Sequence, residues 1–210
     1  MRATLGLFPL HLVVFPNEKL NLHIFEPRYK QLINECYEEG ATFGIVPFIN
    51  KTMMMYGTQI KVESIEKVYP NGEMDIRSKG IDLFKVDEVF NPFPGKLYIG
   101  GAIQNLDNNI NGNYVKSEEI IERVELLFDL LAIPKDPPTN SATFVTYDIA
   151  HHIGFTLEQE YEFFLIHTEE ERQDYVLKHL EEMVPRVKKI NSIRERAMLN
   201  GHFRNIIPPI

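Results

Sequence analysis

Apolar and polar residues keep one rhythm in the first half of this chain and another in the second. Up to about residue 106 they alternate, the spacing of strands with one buried and one wet face. "LNLHIF" (20–25) alternates, "FGIVPF" (43–48) is a short buried run, and "TQIKVESIEKVYP" (58–70) alternates again. Asn71-Gly72 then predicts a hairpin turn, because both residues tolerate positive φ. "EMDIRS", "DLFKVDEVF" and "KLYIGGAIQNL" supply three more strands, divided by Lys79-Gly80 and by the turn from Asn91 to Gly95. So many short strands joined by tight turns predict a small barrel.

One helix interrupts them. Tyr29, Leu32, Ile33, Cys36 and Tyr37 fall on a single helical stripe that stops before Gly40. Pro27 suits the first turn, where its missing N–H costs nothing. Glu26 then stands at the helix N-terminus, where a carboxylate is favoured by the dipole and accepts from free backbone N–H groups. With Arg28 on the other side of the proline, we read the pair as a cap and structural ion pair at the corner between strand and helix.

The polar loop "DNNINGNYVK" (107–116) predicts a domain boundary, with a β-rich domain over 1–110 and a helical domain over 111–210. Beyond it Ile120, Ile121, Val124, Leu127, Phe128 and Leu131 predict a helix starting after Ser117 and ended by Pro134, Pro137 and Pro138. Another is expected over about 141–152, stopping at Gly154. Thr156 with Gln159, and Thr168 with Glu171, are capping boxes. The last helix is expected from about 169 to about 199, kinked or broken at Pro185. Its acids (Glu169, Glu170, Glu171, Asp174) crowd the start and its bases (Arg186, Lys188, Lys189, Arg194, Arg196) the end, an arrangement that complements the dipole without a ligand.

Composition narrows the function. The 210 residues are 44% hydrophobic and 25% charged, enough for one large or two small cores. A net charge of -8 opposes the phosphate contacts of nucleic-acid binders. The single cysteine, Cys36, excludes internal disulfides and fits a cytoplasmic setting. The apolar start "MRATLGLFPLHLVVFP" is interrupted by prolines and reads as a mature strand, and no run reaches the length of a membrane helix.

Five blocks in order carry a resemblance: "LFPL", "FP", "LHIFEPRY", "FGIV" and "GT", spread over about 60 residues. The chain resembles the N-terminal substrate-binding domain of the ATP-dependent Lon proteases, and more closely its stand-alone homologues, whose ending "LNGHFRNIIPP" also looks similar. The resemblance implies an α+β fold, a β-rich pseudo-barrel of the pseudouridine-synthase-and-archaeosine-transglycosylase (PUA-like) type followed by a helical bundle. In the full protease this region recognises protein substrates and supports hexamer assembly, so protein clients and a homo-oligomer are the partners it implies. His23, Phe25, Glu26, Pro27, Arg28, Tyr29 and His202 fall in matching motifs and are read as structural. The chain departs from the family at Asn17, usually a glycine, and at Leu83, usually an arginine.

Catalytic signals are weak. Gly95-Lys96-Leu97 lacks the upstream glycine and the hydroxyl of a phosphate loop. "IPKDPPTNSA" (133–142) echoes the block around the Lon peptidase nucleophile, but Pro137 and Pro138 replace its glycine and Ser141 comes late. A proline-rich linker would leave Lys135 wet, whereas a Ser-Lys dyad needs a desolvated lysine. His151 and His152 point about 100° apart on a helix, and no spacing of metal ligands or cofactor motif follows. The expectation is a non-enzymatic module for apolar or unfolded polypeptide, acting as adaptor, holdase or regulator of proteolysis; a PUA-like RNA- or small-ligand-binding protein is the alternative. Its contact surface is expected at Phe48, Met53, Met54, Met55 and Tyr56, because three successive flexible methionines after a polar turn cannot all face one core.

Overall fold

The computed structural model describes residues 3–199. These residues divide into two compact units, the first reaching to Asn109 and including Phe155–His167, the second made of Ile110–Gly154 and the segment from Thr168 onward. Contacts thus group the segment 155–167 with the first unit, although the sequence boundary near 110 separates them.

In the first unit the strands are β1 (Ala3–Leu10), β2 (Lys19–Ile24), β3 (Thr42–Ile49), β4 (Thr52–Met53), β5 (Tyr56–Val68), β6 (Met74–Phe90) and β7 (Ile99–Asn105). Their order is β1-β7-β6-β5-β3-β4, and β1 also pairs in parallel with β3, Leu7 opposite Gly44 and Phe8 opposite Ile45. That parallel pairing closes a five-stranded ring, while β2 lies antiparallel along the first residues of β6. Asn71-Gly72 turns the β5–β6 hairpin, with Gly72 at φ 75°.

Lys79-Gly80 does not divide two strands, because β6 runs unbroken for 17 residues. The glycine is needed for approach: a Cβ there would lie 2.3 Å from the Phe15 carbonyl oxygen. The Gly80 N–H donates to Glu18 O and its carbonyl accepts from Asn17 N, both at 2.9 Å. Asn17, one of the two departures expected from the resemblance, has φ 67°, a left-handed conformation that asparagine tolerates. Leu83, the other departure, is buried in the barrel.

Helix α1 (Pro27–Glu39) seals one apolar cluster with Tyr29, Leu32, Ile33 and Cys36 against Phe8, Phe43, Ile45 and Ile60. Each buried Leu or Ile contributes roughly 1.5–3 kcal/mol. Tyr37 is exposed and leaves the expected stripe. Gly40, at φ 64°, ends the helix as Ala41 N donates to Cys36 O at 2.9 Å. The first unit also contains α3 (Leu157–Phe164), capped by the reciprocal Thr156–Gln159 bonds.

The second unit packs α2 (Tyr114–Leu131) on α4 (Glu169–Leu199), with Ile120, Val124, Leu127 and Phe128 facing Val176, Leu180, Val184 and Val187 in its core. Helix α2 begins three residues before Ser117, since Asn113 Oδ1 accepts from Val115 N (2.9 Å) and Lys116 N (3.2 Å). The helix expected over 141–152 is two 3₁₀ turns, Thr146–Asp148 and Ala150–His152. Asn140 Oδ1 accepts from Ala142 N at 3.0 Å, and Thr146 N donates to Glu169 Oε1 at 2.6 Å, so the start and the middle of that stretch bond outside a helical ladder. Helix α4 continues through Pro185 without a break.

Glu169 is not one of the surface charges complementing the dipole. It and Arg172 are fully buried, joined at 2.9 Å, and the guanidinium lies 4.3 Å over the Tyr147 ring. Burial pushes the Glu169 carboxyl up, against the pull of the Thr146 N–H and of Arg172.

Candidate functional site

The turn between β3 and β5 carries the five residues expected at a contact surface. Asn50 and Lys51 both have positive φ, 49° and 63°, and form the tight loop that pairs Phe48 with Met53 and Ile49 with Thr52. Two bonds then pin the methionine stretch: Met54 N donates to Pro47 O at 2.8 Å, and Val86 N donates to Met55 O at 2.7 Å.

The side chains divide. Met53 packs against the barrel cluster of Leu5, Leu7, Val46, Phe84, Val86 and Ile103. Met54 and Tyr56 are half-buried, whereas Phe48 is 40% exposed and Met55 38%. An exposed ring and an exposed thioether thus project from a backbone held by hydrogen bonds.

Three residues beside this turn escape a linear reading. His11 Nδ1 is 2.9 Å from Phe48 O, Asn50 Nδ2 donates to Glu158 Oε1 at 3.4 Å, and the Tyr161 hydroxyl is hydrogen-bonded by the backbone of Tyr56. Burial pushes that hydroxyl up to about 12, so it stays protonated. Nothing in the sequence ties positions 158 and 161 to position 50.

The motif "LHIFEPRY" separates into two groups. Glu26 makes no side-chain cap bond, correcting the cap expected of it; its carboxylate holds Arg28 Nη2 at 2.7 Å, and only its backbone carbonyl receives Tyr29 N and Lys30 N. Pro27 occupies the first turn as expected. Arg28 lies 4.6 Å over the Tyr29 ring, which stacks on Phe8 with centroids 3.7 Å apart.

His23 faces outward from β2. Register sets it opposite Asp75, whose Oδ1 is 2.7 Å from Nδ1, and Glu73 Oε2 is 3.2 Å from Nε2. The Tyr69 hydroxyl donates to the other Asp75 oxygen at 2.8 Å. The hydrogen bond to Asp75 raises the His23 pKa, and the same bond lowers that of Asp75. Phe25, 58% exposed, stacks near the imidazole, and a surface cavity of about 370 Å³ opens beside His23, Asp75 and Arg77. His202 lies outside the described residues.

Lys135 Nζ donates to Asp148 O at 3.3 Å. Burial pushes the Cys36 thiol up to about 12. Among the described residues no group of three or more His, Cys, Asp or Glu side chains could hold a metal ion, and no helix is long and apolar enough to cross a membrane.

A strand ring sealed by one helix, continuing into a helical unit, is an α+β architecture shared with solved Lon N-terminal domains. The crystal structure of a Lon N-terminal domain protein from Xanthomonas campestris has a TM-score of 0.62 and 22% identity, covering 84% of this chain and 98% of its own. The N-terminal domain of Mycobacterium avium complex Lon protease also has a TM-score of 0.62, at 11% identity over 85% of this chain and 98% of its own. Residues 4–182 match the ATP-dependent protease La (LON) substrate-binding domain, and the chain belongs to that family.

Proposed function

We propose that this protein binds polypeptide segments with exposed apolar side chains, without cleaving them, and serves as an adaptor, holdase or regulator of proteolysis. The contact surface is the turn carrying Phe48, Met53, Met54, Met55 and Tyr56. The observation that carries this reading is the pairing of a pinned backbone with exposed, adaptable side chains: Phe48 and Met55 face solvent while the Met54 and Met55 backbones are held by bonds to Pro47 and Val86. An exposed methionine on a fixed backbone repacks around varied apolar partners. Membership of a substrate-binding family supports protein partners, and the net charge of -8 disfavours RNA.

The test is capture of a chemically denatured client by the full chain, comparing the wild type with Phe48→Ser/Met55→Ser. Both side chains are exposed, so the double variant should melt like the wild type and lose most of its capture. A triple Met53, Met54, Met55→Ser exchange should lose capture too, but at a cost in stability through Met53. Unchanged capture by the folded double variant would remove this surface from the function.

A further inference from the structure

We propose that the second unit holds a binding pocket for an uncharged apolar group that carries a carbonyl acceptor, with Ser117 as its hydrogen-bond donor. A cavity of about 320 Å³ lies where the segment 110–117 meets 141–145, at the small end of the range for ligand sites. Ile110, Tyr114, Phe144 and Val145 give it apolar walls, and Ser117, Ser141 and Thr143 bring hydroxyls; no charged side chain lines it. A phosphate or carboxylate would find no counter-charge there, so the ligand is neutral.

Ser117 is only 3% exposed, and its bonding makes it a donor. The Asn113 backbone N–H donates to Gln173 Oε1 at 2.8 Å, which fixes which end of that amide faces which way. Gln173 Nε2 therefore points at Ser117 Oγ (2.9 Å) and at Asn113 O (3.2 Å), giving a proton to each. The serine oxygen is thus occupied as an acceptor, and among the described residues its own proton has no acceptor. A buried hydroxyl with an unused proton on a cavity wall is matched by a ligand carbonyl. Gly112 lets Gln173 pack close against this segment, since a Cβ there would stand 2.5 Å from Gln173 Nε2.

The pocket is independent of the Phe48–Tyr56 surface and is tested separately. N-acetyl-phenylalaninamide and N-acetyl-leucinamide, added to the ¹⁵N-labelled full chain, should shift the amide signals of Gly112, Ser117 and Phe144 saturably. N-acetyl-phenylalanine, with its free carboxylate, should bind at least about tenfold more weakly, because a charge must be desolvated without a partner. Ser117→Ala should weaken the amides by roughly five- to tenfold, the worth of one hydrogen bond. Ser141→Phe, which fills the cavity from its half-buried rim and leaves Gln173 alone, should abolish the shifts; it serves if Ser117→Ala fails to fold. No saturable shift, equal binding of the carboxylate, or undiminished binding in either folded variant would overturn the proposal.

Discussion

Each unit sets a glutamate and an arginine at the first turn of a helix, and solvent reaches one pair but not the other. Glu26 and Arg28 meet at 2.7 Å at the start of α1, with both side chains about two-fifths exposed. Glu169 and Arg172 meet at 2.9 Å at the start of α4, with both side chains 0% exposed. The residue types and the helix position are alike, yet the first pair competes with water while the second has only protein groups. Thr146 gives Glu169 two bonds and Tyr147 lies under the guanidinium. Among the described residues of the first unit no charged side chain is buried, whereas in the second a charged pair is part of the interior. Removing one member of each pair therefore has very different consequences.

The largest effect is expected there. Arg172→Ala should cost about 3–5 kcal/mol in urea unfolding, because it leaves the Glu169 carboxylate buried without a counter-charge. Arg28→Ala should cost roughly 0–1 kcal/mol. Replacing both Glu169 and Arg172 by Leu and Met should cost less than Arg172→Ala alone. Equal losses for Arg172→Ala and Arg28→Ala would break the comparison.

A smaller effect separates a real cap from a position that resembles one. Thr156 Oγ1 accepts from Gln159 N at 3.3 Å, while the Glu26 side chain caps nothing. Thr156→Ala should lower stability by about 0.5–2 kcal/mol. Glu26→Ala should cost no more than a surface ion pair, under about 1 kcal/mol. Guanidinium titrations of the two variants check the order, and a larger loss for Glu26→Ala would restore the capping role.

The smallest effect concerns pH. His23 is raised from 6.5 chiefly by its bond to Asp75, so its contribution is complete below that value and fades as pH rises through the raised pKa. Asp75 is lowered from 3.8, chiefly by the same bond, so its contribution is complete above that value and is lost as pH falls through the lowered pKa. Both hold together between those limits. The melting temperature should drop slightly from about pH 6 to about pH 8, and Asp75→Asn should flatten that drop and return the His23 titration toward its ordinary value. A slope unchanged in Asp75→Asn would show that the pair, wet on all sides, is not coupled to folding.

Features that depend on a few adjacent residues were legible in the chain. Pro27 and Gly40 bracket α1 because a fixed φ starts a helix and a left-handed residue stops one. The Thr156 box and the Asn71-Gly72 turn work the same way, and the alternating runs became strands because a strand's two faces show directly in sequence. At the Phe48–Tyr56 turn, the sequence required that at least one of three successive methionines meet solvent, but not which one, nor that Met53 joins the barrel cluster while Met55 is exposed. That depends on Phe84 and Val86, more than thirty residues on, reaching the same wall.

What tertiary structure alone decided shares one physical cause: a polar or backbone group took a partner distant in sequence. Lys79-Gly80 has the composition of a turn, yet Gly80 lies inside a strand because the backbone of residues 15–18 crosses over it. Residues 141–152 have helical spacing, yet Thr146 gives its N–H to Glu169 instead of to a helical ladder. Glu169 reads as one of several surface acids, and only the packing of Thr146, Tyr147 and Arg172 around it takes it out of water. The sequence determines which conformations are locally cheap and which side chains are apolar. Whether a given carboxylate, glycine or serine ends against water or against protein is determined by chain segments that a reading of neighbours cannot bring together.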